Sequence, residues 1–183
     1  MITLIALLDV GYFPEVKLLA AKGVEVGKIR VLPSKTGRVE VSENGIKVEK
    51  RDRTLLLLVD SPTDSVVLKV PRGIDLEMAT LRSEVEVRGV SLKAMAVNDV
   101  AGRLRIRGGE FGDLSLTLVD SEVLMEGCKV ERMELGAMGS RITVRRSRIN
   151  SLNLNATRGK MILEATTVGE FHKTVKDFRV VWR

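Results

Sequence analysis

Few residues in this chain could do chemistry. One cysteine, Cys128, and one histidine, His172, stand among 183 residues. A single cysteine closes no intrachain disulfide and builds no cysteine-based metal cluster, and a single histidine falls short of most zinc sites. Carboxylates remain. Glycoside hydrolysis needs two carboxyl groups roughly 5–9.5 Å apart, and the nearest pair the spacing offers is Asp99 with Asp120. Both read as corner residues, where Asp is common because its side chain bonds local backbone. Six aromatics in the whole chain make sugar platforms scarce beside them. His172 lacks an evident partner and reads as a solvated surface residue. No catalytic, cofactor-binding or metal-binding residue is therefore expected, and a carbohydrate-active enzyme ranks third among the functional readings.

The elements that would position such residues follow a repeat. From residue 57 onward, apolar residues recur every 19 positions. One pair reads Leu57/Val59, Leu76/Met78, Met95/Val97, Leu114/Leu116, Met133/Leu135 and Leu152/Leu154. Nine residues later comes Val66/Leu68, Val85/Val87, Leu104/Ile106, Val123/Met125, Ile142/Val144, Met161/Leu163 and Val180/Trp182. A single position adds Leu92, Phe111, Val130, Ile149 and Val168. The spacing of two inside each pair is that of a strand with one buried face. These registers predict an all-β, single-stranded parallel β-helix (a β-solenoid) with 19-residue coils stacked about 4.8 Å apart. The chirality of parallel crossovers favours a right-handed one.

Small residues mark the corners. Ser83, Gly102, Ser121, Ser140 and Gly159 precede the second strand, and Gly89, Gly108 and Gly127 follow it, suited to positive φ. Val90, Gly109, Cys128, Ser147 and Thr166 then form an inward small-residue ladder, which makes Cys128 a core residue rather than a reactive thiol. Residues 1–55 escape the period and read as a cap that is not an independent domain, with residues 56–183 forming about seven coils. In the cap, Pro14 and Gly23 bracket a short helix over Glu15 to Lys22. Val24 to Leu32 and Val39 to Glu49 read as strands, with a hairpin turn at Asn44-Gly45.

Composition sets further bounds. The chain is 44% hydrophobic and 30% charged, which suits one folded domain and excludes disorder. The apolar run Met1 to Leu8 is too short to span a bilayer and lacks the flanks of a secretory signal, so a cytoplasmic location is expected. Absent glutamine with abundant Arg, Lys and Glu follows the trend of hyperthermophile proteins.

The strand Val66-Val67-Leu68-Lys69-Val70-Pro71, closing on Val-Pro, is followed by repeats such as Ser83-Glu84-Val85-Glu86-Val87 and Gly102-Arg103-Leu104-Arg105-Ile106. With these features the chain resembles the putative-adhesin β-solenoid family over roughly residues 38–170. Gly-Asp corners and an export or membrane segment are frequent in that family; here Gly-Asp occurs once, at Gly112-Asp113, and no such segment is expected. The resemblance implies the solenoid fold and an adhesive role, and brings no site residue with it.

The outer face of the second strand carries the remaining information. One ladder reads Glu84, Arg103, Glu122, Arg141, Lys160, Arg179, and another Arg88, Arg107, Glu126, Arg145, Glu164, Arg183. Opposite charges one coil apart favour the stack. Between the ladders, Glu86 and Arg105 give way to Leu124, Thr143, Ile162 and Val181. An apolar centre in a charged rim is the anatomy of a protein interface, and Trp182 at the last strand edge adds a second contact candidate. The leading expectation is a non-enzymatic structural or interaction solenoid that self-associates as a homo-oligomer or scaffolds another protein. The alternative is a module binding nucleic acid or another polyanion through Arg103, Arg105, Arg107, Arg141, Arg145, Lys160 and Arg179, in keeping with a net charge of +6.

Overall fold

The computed structural model describes residues 7–21, 24–42 and 45–183. These residues form strands and turns with no helix among them. In chain order the strands are β1 (Leu7–Gly11), β2 (Glu15–Ala20), β3 (Val26–Pro33), β4 (Val39–Ser42), β5 (Ile46–Arg51), β6 (Thr54–Val59), β7 (Thr63–Val70), β8 (Asp75–Leu81), β9 (Glu84–Val100), β10 (Arg103–Val119), β11 (Glu122–Met138), β12 (Arg141–Arg145), β13 (Arg148–Glu164) and β14 (Thr167–Trp182).

The 19-residue spacing is the coil. Leu104 pairs with Val85 on one side and Val123 on the other, and the same offset continues through Ile142, Met161 and Val180. Every pairing from β8 to β14 is parallel, and the solenoid makes about six turns. Strands β9, β10 and β11 turn a corner at Gly89, Gly108 and Gly127 respectively, whose φ values are 62°, 56° and 64°. In the next two coils Arg146 and Ala165 take the same left-handed conformation without a glycine, at φ 47° each. The inward ladders form one core in which Leu104, Ile106, Met125, Ile142, Val144 and Met161 are fully buried. Leu92, Phe111, Val130 and Ile149 close its third side.

The expected helix over Glu15 to Lys22 is instead strand β2; Lys22 and Gly23 lie outside the described residues. Val16 and Leu18 alternate inward, and β2 pairs in parallel with β6 on one side and β8 on the other. Two complete ladders satisfy its backbone, and that pairing overrides the punctuation by Pro14. The hairpin turn expected at Asn44-Gly45 lies partly outside the described residues, which exclude Asn44; the flanking strands pair elsewhere, β4 with β1 and β7, and β5 with β6. The tight hairpin joins β5 to β6, with Arg51 opposite Thr54 across Asp52-Arg53 and Asp52 at φ 44°.

Residues 15–33 are therefore a coil of the stack, and a threaded one. β3 pairs with β7 on one side and with the start of β9 on the other, as β2 does with β6 and β8. Coils 54–70 and 75–88 are consecutive in sequence, yet the coil 15–33 lies between them. Leu55, Val16 and Leu76 share one ladder, so Leu57 aligns through Leu18 with Met78 rather than with Leu76. Antiparallel strands β4 and β5 flank the outermost coil, and β1 adds to β4.

Candidate functional site

Serine supports the corner before the second strand. The Ser121 and Ser140 hydroxyls donate to the carbonyls of Val119 and Met138, and the Ser140 Oγ accepts the Ser121 N–H at 3.1 Å. The residue just before each member of this ladder is left-handed: Arg82, Ala101, Asp120, Gly139 and Arg158 have φ between 50° and 66°. The sequence gives little sign of this, because only one of the five is a glycine.

These corners separate the two candidate acids. Asp99 faces inward, 1% exposed, in the ladder Thr80–Asp99–Leu118–Ala137. One of its oxygens accepts from the Thr80 hydroxyl at 2.7 Å, while the other is buried with no partner among the described residues. Asp120 is exposed on the turn. One acid enters the core and the other faces solvent, so the spacing that suggested a catalytic pair brings no pair together. Asp99 is also the reason for Gly102: a Cβ there would lie 2.4 Å from the Asp99 carboxylate. His172 is exposed, level with Asn153. Cys128 is buried, and burial pushes its thiol up to about 11.

The outer face of the second strand does assemble as the spacing requires. Pairing places Glu86, Arg105, Leu124, Thr143, Ile162 and Val181 on successive rungs. Leu124, Thr143, Ile162 and Val181 are each half-buried. Trp182 does not join this stripe. It continues the inward ladder of Leu163 on the last rung, half exposed, with its ring edge-on to Phe171 at 6.0 Å.

Ion pairs bind the flanking ladders. Arg103 meets Glu122 at 3.5 Å, Arg105 meets Glu84 at 3.2 Å, Arg107 meets Glu126 at 4.0 Å and Arg145 meets Glu164 at 2.9 Å. Arg146 also holds Glu126, and its hydrogen bond draws that carboxyl below its ordinary range. Glu86 is 5% exposed. Burial alone would raise its pKa, but the Arg88 hydrogen bond and the charges of Arg88, Lys28 and Arg107 together hold it low. Below Glu122 the alternation stops: Arg141, Lys160 and Arg179 stand on successive rungs with no ion-pair partner among the described residues. A second outward apolar ladder, Leu81, Val100, Val119 and Met138, runs beside the first-strand corner and was not evident from the repeat.

No protein-family model matches the chain, and no curated protein does. Among solved structures it is similar to a putative adhesin from Bacteroides fragilis, with a TM-score of 0.59 and 12% identity over 98% of this chain and 96% of that one. The shared feature is the fold. A putative cell adhesion protein from Clostridium sporogenes aligns at TM-score 0.45 and 12% identity, covering 97% of this chain and 98% of that one. A putative lipid binding protein from Parabacteroides distasonis aligns at 0.46 and 11% identity, covering 97% and 95%. The resemblance read from the repeats is thus a likeness of fold, and it assigns no function.

Proposed function

We propose that this β-solenoid is a non-enzymatic interaction module that self-associates through the outer face of its second strands. The observation that carries the reading is the unbroken stripe Leu124, Thr143, Ile162 and Val181, half-buried on consecutive rungs between two charged ladders. An apolar centre with a charged rim excludes water on contact while the rim sets register. The adhesin description of the similar Bacteroides fragilis structure supports an interactive role. Trp182 on the terminal edge offers a second contact. Sedimentation over a concentration series tests the reading: wild type should form a dimer, and Leu124→Lys with Ile162→Lys should give a folded monomer. A wild type that stays monomeric at high concentration would overturn it.

A second reading, polyanion binding, is favoured by the consecutive Arg141, Lys160 and Arg179. Its weakness is the neighbouring stripe, because a phosphate backbone has nothing to bury against Ile162 and Val181. Steeply salt-dependent binding to single-stranded nucleic acid would support it.

A further inference from the structure

We propose that two copies of the chain pack second-strand face to second-strand face about a two-fold axis running along the strands, midway between the rungs of Thr143 and Ile162. The proposal rests on the self-association reading above and specifies its geometry. A closed dimer uses the same patch on both copies, and two such arrangements cover all four stripe residues. In one, the two-fold runs parallel to the solenoid axis, and each stripe residue meets itself. In the other it runs along the strands, and Leu124 meets Val181 of the second copy while Thr143 meets Ile162 of the second copy.

The charged rims distinguish them. With the axis along the solenoid, one ladder faces the other at equal height: Glu122 over Glu126, Arg141 over Arg145, Lys160 over Glu164 and Arg179 over Arg183. Three of those four contacts join like charges. With the axis along the strands, each ladder faces itself in reverse: Glu122 meets Arg179, Arg145 meets Glu164, Glu126 meets Arg183, and only Arg141 with Lys160 is a like-charge contact. Like-charge juxtaposition selects against wrong arrangements. Arg179, without an ion-pair partner among the described residues, gains Glu122 of the second copy. The break in alternation below Glu122 thus has a use: the ladder is unbalanced within one chain and better balanced across two.

The face is small. Four rungs at about 4.8 Å and five residues along the strand give a patch roughly 14 Å by 13 Å, well below the about 800 Å² per partner of a standard complex. The dimer is therefore weak, and the measurement must reach high concentration. Sheets packed face to face lie about 10 Å apart, beyond the roughly 7 Å that a disulfide bridges, so a bismaleimide with a reach of about 10 Å separates the two axes. Leu124→Cys protein mixed with Val181→Cys protein should cross-link at least tenfold more with this reagent than Leu124→Cys alone, since two copies of residue 124 then lie about three rungs apart. The buried Cys128 does not compete. In parallel, Arg179→Glu should weaken sedimentation-measured association about fivefold, and adding Glu122→Arg should restore it.

Cross-linking of Leu124→Cys with itself at the rate of the mixture would overturn the strand-directed axis. So would a Glu122→Arg/Arg179→Glu double variant as weak as Arg179→Glu alone. If wild type dimerises, Leu124→Lys/Ile162→Lys abolishes it and no mixed cross-link forms, the geometry fails while the self-association reading stands. A monomeric wild type removes both.

Discussion

At the scale of single residues, Cys128 and Asp99 show how the ladder decides chemistry. Both occupy inward positions, where a side chain touches the rungs above and below instead of solvent. The Cys128 thiol, lifted to about 11 from 9.0, donates weakly to the carbonyl of Glu126. Raising the thiol from 9.0 to about 11 leaves about a hundredfold less thiolate at any pH well below 9. Native Cys128 should accordingly react with a thiol reagent at least a hundredfold more slowly at pH 8 than in the urea-unfolded chain; equal rates would show the corner opening freely. An acid whose pKa is raised by folding contributes stability that is fully present below 9.0 and is lost as pH rises toward about 11. The melting temperature should fall over that window, and less so in Cys128→Ala. Asp99 is a different case: its carboxylate accepts the Thr80 hydroxyl from within the core, and its second oxygen is buried with no partner among the described residues.

At the scale of the strand, the charged ladders act as cross-strand pairs repeated along an axis. Arg145 lies between Glu126 and Glu164 and bridges Glu164 at 2.9 Å. Replacing it by Glu places three acids on consecutive rungs. Each lost pair is worth roughly 0.2–1 kcal/mol, so Arg145→Glu should lower the melting temperature by a few degrees at low salt. The loss should shrink in high salt as screening shortens the reach of the repulsion. A melting temperature unchanged at low salt would show that these exposed bridges contribute nothing to the stack.

At the scale of the whole molecule, the threaded coil ties the N-terminal segment to the solenoid. Val16, Leu18, Val26, Ile29 and Val31 are at most 2% exposed between coils that sequence would place side by side. Burying each such side chain is worth about 1.5–3 kcal/mol, so together they approach the roughly 5–15 kcal/mol of a typical domain. Without this coil, the first strands of its neighbours are offset by 21 residues (Leu55 to Leu76) and the second strands by 19 (Val66 to Val85). We expect the chain shortened to residues 34–183 to lose its cooperative thermal transition, followed by circular dichroism. A sharp transition near the wild-type temperature would show that the solenoid stands without its threaded coil.

The sequence by itself determined the repeating part: the 19-residue period, the inward pairs from Leu76 to Leu163, the glycine corners and the outward stripe. It could do so because stacked parallel coils place the same position on every rung, so one physical requirement is written many times. The tertiary structure alone decided what happens once. Glu15–Ala20 is a strand because two partners complete its ladders, although its own punctuation suggests a helix. Asp99 turns inward although aspartate in turns usually faces water, because its place in the strand alternation points it at the core. Coil 15–33 enters between coils 54–70 and 75–88, a pairing of distant segments that no local pattern encodes, since the energy that selects it comes from pairing both of its edges while burying its inward face.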